Sequence, residues 1–312
     1  MSRNIIDSVI ELRKKESLPI GLIISRRQVS YNEGYTTLTT KALSNIISES
    51  KTNIILERDH AGPHQLADKD SDWYAFRDDI KYVDIIHIDP FKICNSKKEA
   101  IFHTIYLIKY CLLLGFKGKF EVGTEASIFP YTETFLDELL STLDKEQLLS
   151  HIKYVVIQSG QKLVGIQNIG TFDKQQSKKM IQVVKNYSKQ TKEHNCDYRP
   201  IQHIEQLFQL GLDSINLAPE VGGIETNLVL KSSPQQIGAW YQMCINEGHW
   251  KRWFRDMPFS KVDIIRATGH YFFENPIYRE IKQESGIEDK EIKSKIKDYI
   301  RERVTSVTRK LK

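Results

Sequence analysis

The 312-residue chain has no CxxC pair and no long apolar run, and it carries little excess charge of either sign. Its cysteines, Cys94, Cys111, Cys196 and Cys244, lie far apart, which argues against a disulfide framework or a clustered zinc finger and for reduced thiols. The longest apolar segment, residues 104–116, is broken by Lys109, so no stretch is fit to cross a bilayer. The opening MSRNIIDSVIELRKK has charges between its apolar residues and lacks the continuous apolar region of a secretory leader; a cytoplasmic protein is expected. A formal charge of +5, with Lys and Arg scattered until the final stretch, gives no reason to expect nucleic acid or membrane as a partner.

What is present is ordinary globular composition, 40% hydrophobic and 27% charged, enough for a sizeable core. Short apolar runs recur at residues 21–25, 53–56, 82–88, 119–122, 154–157 and 214–217, each followed by a longer amphipathic segment. Runs of that length without strict alternation fit parallel strands covered on both faces. Residues 98–114 and 134–149 carry helical periodicity. A seventh strand is expected at residues 190–195, despite a Lys-Glu-His composition poor for a buried strand. The repeated β-α grammar predicts a single α/β domain, either a barrel or a doubly wound sheet. Residues 1–235 are read as the (β/α) barrel and 236–312 as a helical extension packed on it, rich in aromatic residues. Ile292, Ile296, Ile300, Val304, Val307 and Leu311 form one stripe of a last helix, expected to dock on its own barrel or on a second subunit.

Polar residues collect just after the apolar part of each strand, which in a barrel is the catalytic face. Glu57-Arg58-Asp59-His60 and His64 follow the second run, Asp89 the third, Gly123-Thr124-Glu125 the fourth, Gln158 the fifth, His194 and Asp197 the next, and Gly222-Gly223 the last. His60, His194 and Glu125 make a sensible ligand set for Zn²⁺, with Mn²⁺ or Co²⁺ as alternatives, and leave a position open for substrate. Asp59, with Glu57, supplies the carboxylates that would move a proton while the metal stabilises an enediolate. Arg26, Arg58, His64, Asp89, Gln158, Asp197, Gly222 and Gly223 are assigned to substrate, Arg26 and the Gly-Gly pair as phosphate binders. The Gly-Gly pair equally suits an ordinary turn. His87, His103, His249 and His270 show no comparable convergence.

Five segments in one order resemble a known family. Gln28-Val29 with Gly34-Tyr35-Thr36, Asp59-His60-Ala61-Gly62-Pro63, His87-Ile88-Asp89, Gly123-Thr124-Glu125 and His194-Asn195-Cys196-Asp197-Tyr198 are similar to motifs of the subunit family typified by the non-catalytic subunit of class II D-tagatose-1,6-bisphosphate aldolase, which includes tagatose-type sugar 4-epimerases. The resemblance spans roughly residues 20 to 225, with a fainter echo near Tyr271 to Pro276. It implies a TIM-type barrel with a class II aldolase-like metal centre: His60, Glu125 and His194 on the metal, Asp59 in acid/base work. The alignment starts at the helix before the family's second strand, so one βα unit is expected to be missing or replaced. Glu57-Arg58 stand where the family has two glycines and His64 where it has Asn, which changes the pocket walls and points away from the usual substrate. The expected function is a metal-dependent aldolase or epimerase acting on a phosphorylated or nucleotide-linked sugar, in a homo-oligomer or beside a catalytic aldolase subunit. The alternatives are a stabilising subunit of an aldolase complex and a sugar-binding module without chemistry.

Overall fold

The computed structural model describes residues 1–65, 73–125, 128–254 and 259–308. Helix α1 (Arg3–Glu16) leads into β1 (Leu22–Ser25) and α2 (Thr40–Glu49), then β2 (Leu56–Ala61) and α3 (Trp73–Tyr82), β3 (Ile85–Ile88) and α4 (Lys97–Leu113), and β4 (Lys119–Val122) and α5 (Glu133–Lys145). After β5 (Ile152–Ile157), a small hairpin of β6 (Leu163–Val164) and β7 (Gln167–Asn168) precedes α6 (Lys174–Asn186). The series continues with β8 (Gln190–Glu193), α7 (Ile201–Gln209), β9 (Ser214–Ile215) and α8 (Pro219–Ser232), then α9 (Ile237–Asn246), α10 (Lys261–Thr268), α11 (Pro276–Ser285) and α12 (Asp289–Thr308). Among the described residues no helix is long and apolar enough to cross a membrane.

Among the described residues, seven parallel strands form one sheet in the order β1-β2-β3-β4-β5-β8-β9. The βα grammar is borne out, and the polar segment at 190–193 is the expected seventh strand. The sheet is not closed: β1 and β9 are its two edges. Helices α1, α8 and α12 pack against one another. Ser2 Oγ, just before α1, donates to Glu225 Oε2 of α8 over 2.6 Å. Helix α12 binds α1 through Lys297 to Glu11 and Arg301 to Glu16, each at 2.7 Å, and α8 through Arg303 to Glu220 at 2.9 Å. The expected stripe thus docks on its own chain over its described part, with Ile292 and Ile296 buried, while Leu311 lies outside the described residues.

Four helix starts along the sheet have a local reason. Thr39, Ser96, Thr132 and Asp173 accept the N–H of the residue three positions on, which satisfies amides that the first turn leaves open. Outward-facing Ile24, Ile86, Ile88, Phe120, Val122, Val155 and Ile157 pack against Leu43, Ile47, Phe76, Ile108, Phe135 and Leu139 of the helices. Full burial of each such side chain stabilises the fold by about 1.5–3 kcal/mol. A second apolar cluster, built on Trp240, Phe254, Ile265, Phe272, Phe273 and Tyr278, joins α8 to α9, α10 and α11.

Strand β2 corrects two readings. The strand begins at Leu56 rather than at residue 53, so Glu57, Arg58 and Asp59 lie on it instead of after it. Alternation turns Arg58 outward, away from any substrate. Its guanidinium is 0% exposed and meets the 1% exposed Asp79 of α3, with Nε to Oδ2 at 2.8 Å and Nη2 to Oδ1 at 2.7 Å. The remaining donors go to the carbonyls of Ile24 and Val29 and to Thr40 Oγ1. Arg58 is a clamp between sheet and helices. Removing one partner of a buried ion pair strands the other charge. Arg58→Met is therefore expected to lose about 3–5 kcal/mol in urea unfolding, and Arg58→Met with Asp79→Leu to regain most of it.

Candidate metal centre

The inward face of the sheet carries charge where a barrel usually carries aliphatic layers. Glu57 and Asp59 of β2, His87 of β3, Glu121 of β4, and Lys192 and His194 of β8 and its end share that face, as alternation requires. His60 would point the other way in a regular strand. The β2–β3 register slips by one residue between Arg58 and Ala61, and His60 has φ 48°. This bulge turns the imidazole of His60 back beside Asp59.

Three imidazoles meet around one carboxylate oxygen. Asp59 Oδ1 lies 3.5 Å from His60 Nε2, 3.6 Å from His87 Nδ1 and 3.7 Å from His194 Nδ1. Glu125 adds Oε1 at 3.1 Å from His60 Nε2 and Oε2 at 3.6 Å from His194 Nδ1. Each ring is held from behind by its other nitrogen. His60 Nδ1 donates to Asp89 Oδ2 over 2.7 Å, His87 Nε2 to the Gly123 carbonyl over 2.9 Å, and His194 Nε2 to Glu121 Oε1. These acceptors carry no proton to give, so the front nitrogen of each neutral ring keeps its lone pair. His87 Nδ1 also receives the backbone N–H of His60, at 3.3 Å.

The electrostatics follow from crowding. Asp59, Asp89 and Glu125 face the imidazoles, while Glu57 and Glu121 share the ammonium of Lys192, which sits 2.6 Å from Oε2 of each. Burial works to raise Asp59, but the imidazoles of His60, His87 and His194 outweigh it and hold the carboxyl below its ordinary range. Glu125 is likewise drawn down to about 2, against its burial, by His60 and His194. Burial works to lower His87, yet Glu121 and Asp59 lift it to about 9. Glu57 is pushed up by burial and by the charge of Glu121. The crowded carboxylates thus favour the protonated forms of His60 and His87.

The donor set fits a divalent cation. Asp59 Oδ1 and Glu125 Oε2 are buried without a hydrogen-bond partner among the described residues. His60, Glu125 and His194 have ligand atoms within 4.8 Å of one another, as do Asp59, His87 and His194. Ligand atoms around a tetrahedral ion with bonds of 2.0–2.1 Å stand about 3.4 Å apart, close to the separations found here. The carboxylate–histidine contacts behind the donors are the usual outer support of such a site.

Of the residues expected from sequence, Asp59, His60, Glu125 and His194 come together. Asp89 supports His60; it is buried and accepts from Gln65 Nε2 and the Phe91 N–H. Glu57 lies behind Asp59 on Lys192, and Gln158 Nε2 donates to the Thr124 carbonyl over 2.7 Å. Asp197 caps α8, its Oδ1 accepting the N–H groups of Ala218 and Glu220, each at 2.9 Å. Gly222 and Gly223 belong to α8 rather than to a turn after a strand; Gly222 N donates to the Ala218 carbonyl, and a Cβ there would meet His270 at 2.8 Å. Arg26 is buried at the end of β1 with its guanidinium 6.0 Å from the Tyr31 ring centre, and His64 is exposed on the loop after β2. His87, Glu121 and Lys192 are the members that sequence reasoning missed. The signal available was His87 at two residues from Asp89 and Lys192 at two from His194, one strand face in each case.

The loop that follows β5 anchors the His194 segment. Gln161 Nε2 donates to the His194 carbonyl, and Asn168 Nδ2 to the carbonyls of Asn195 and Asp197. The hairpin turn rests on the aromatic cluster, with Gly165 N bonded to the Trp253 carbonyl at 2.9 Å.

No family model matches this chain, and no curated protein does. Solved structures share its fold. A probable tagatose 6 phosphate kinase from Sinorhizobium meliloti 1021 superposes with a TM-score of 0.73 at 13% identity, over 99% of this chain and 95% of that one. The fructuronate-tagaturonate epimerase UxaE from Cohnella laeviribosi gives 0.72 at 11% identity, over 98% and 80%. A fructose-bisphosphate aldolase from Campylobacter jejuni gives 0.61 at 12%, over 98% and 88%. The expected tagatose-type epimerase and aldolase fold is the fold of this chain.

The Gly123 carbonyl that fixes His87 depends on a backbone φ of 110°, and a Cβ at Gly123 would stand 2.4 Å from the Tyr131 hydroxyl. Gly123→Ala is expected to cost more than about 1 kcal/mol in chemical unfolding. It is also expected to weaken uptake of Zn²⁺ in a chelator-competition titration.

Proposed function

We propose that this protein is a metal-dependent epimerase or aldolase acting on a phosphorylated or nucleotide-linked sugar. The observation that carries the reading is the convergence of His60 Nε2, His87 Nδ1 and His194 Nδ1 on Asp59 Oδ1, with Glu125 alongside. The shared fold of epimerase and aldolase structures supports the same class of chemistry. We read the sheet as a TIM-type barrel in which α8 and α1 stand in place of an eighth strand.

His60, His194 and Glu125 would hold the cation, with His87 beside them, its Nδ1 accepting the His60 N–H. A divalent ion there supplies a Lewis acid that neutralises charge building on a substrate carbonyl or hydroxyl oxygen. Asp59 is the acid/base: its carboxylate, 22% exposed, is kept ionised by the imidazoles around it. Asp89 and the Gly123 carbonyl keep the donor nitrogens of His60 and His87 aimed forward. Glu57, engaged by Lys192, has no part in proton transfer in this scheme.

Reconstituted wild type is expected to carry about one equivalent of Zn²⁺, Mn²⁺ or Co²⁺ by elemental analysis, and His60→Ala and His194→Ala far less. Equal metal content in all three would sink the metal-dependent reading and favour a stabilising subunit. Asp59→Asn is expected to keep its metal and lose turnover roughly 100- to 10,000-fold; unchanged turnover removes Asp59 from the acid/base role.

A further inference from the structure

We propose that Glu121 and Lys192 are positioning residues: the ammonium of Lys192 fixes Glu121, and Glu121 fixes His194 with Nδ1 facing Asp59 and Glu125. The inference rests on the metal-centre reading. Its starting point is a division of labour between the two oxygens of one carboxylate. Glu121 Oε1 receives Nε2 of His194, and Oε2 receives Nζ of Lys192 at 2.6 Å. A carboxylate held at one oxygen can swing about its last bond; held at both, it cannot. Glu57 Oε2 ties the ammonium from the far side at 2.6 Å, and the Tyr154 ring lies 5.0 Å away.

Lys192 and His194 point inward from the same strand, two residues apart, while Glu121 reaches them from β4. The donor imidazole is therefore braced by its own strand through a carboxylate of another. His60 has an equivalent arrangement with a different brace: Asp89 is held by Gln65 and by the N–H of Phe91. A chemical role for Lys192 is a poor fit. An amine that attacks a carbonyl must be neutral and free to approach it, whereas Nζ here is held by two carboxylates.

The test uses metal-stripped protein titrated with Co²⁺, read by visible absorption, and with Zn²⁺ against a chromophoric chelator. Glu121→Gln keeps the shape of the side chain and leaves one acceptor oxygen for two donors, Nε2 of His194 and Nζ of Lys192. Glu57→Gln leaves an amide oxygen that can accept from the same ammonium on its other side and serves as the control for an isosteric change that does not touch His194. Glu57→Gln with Lys192→Met takes away the ammonium together with its second carboxylate, and with them the brace. Glu121→Gln and the double variant are expected to bind Zn²⁺ about 10- to 100-fold more weakly and to show an altered Co²⁺ spectrum. Glu57→Gln is expected to bind close to wild type with an unaltered spectrum. Equal losses in Glu121→Gln and Glu57→Gln, or wild-type affinity and spectrum in Glu121→Gln, overturn the positioning role. If the double variant does not fold, the two isosteric single variants decide. Wild type that binds neither ion overturns the metal-centre reading itself, a separate outcome.

Discussion

One ammonium inside the sheet sets the terms for everything around it. Lys192 lies within 2.6 Å of carboxylates from β2 and β4, in a space where water does not reach. A buried carboxylate costs several kcal/mol unless it is paired and hydrogen-bonded, so Glu57 and Glu121 require Lys192, and Lys192 requires both. The network forces β8 to be polar on its inner face. Its outer face is polar too, since Glu193 there accepts the N–H of Ser159 at 2.9 Å. A strand reading Gln-Thr-Lys-Glu is stable in this position because its partners are charges rather than methyl groups.

The pattern of short runs and amphipathic segments was enough to place seven parallel strands, because the period of hydrophobic burial is a local property. The four residues that meet at the centre were also legible, because strand ends of a parallel sheet share one face. Side-chain direction was harder to see. Arg58 sits between two site residues and looks like a third, yet alternation sends it to Asp79. His87 looks like an interruption of the apolar run 82–88, and only its pairing with Glu121 across β3 and β4 reveals that it faces inward. The Gly-Gly pair followed a strand and suggested a loop; the carboxylate of Asp197, distant in sequence, starts a helix there instead. Long-range partners decided each of these cases.

An open sheet must hide its edges or invite other chains to pair with them. Here the elements at both ends of the sequence do that work together: α1 precedes one edge strand, α8 follows the other, and buried Glu225 of α8 gathers Ser2, Asn4 and Tyr278. The aromatic cluster beyond α8 does more than cover the helix. It carries the hairpin whose Gln161 and Asn168 hold the His194 segment, so the outer lobe and the centre share a mechanical connection.

The single extra residue in β2 acts as a phase shifter. Before it, β2 and β3 run in step, with Glu57 opposite Ile85 and Arg58 opposite Ile86; after it, Ala61 stands opposite Ile88, one residue out of step. A strand of period two normally gives adjacent side chains to opposite faces, yet Asp59 and His60 both serve the inner one. The two halves of the strand are thereby indexed separately: the first by the outward clamp of Arg58, the second by the centre. Any slip of the chain would have to break both indices at once, so the geometry of the paired acid and imidazole is quantised, with no intermediate setting between in register and lost.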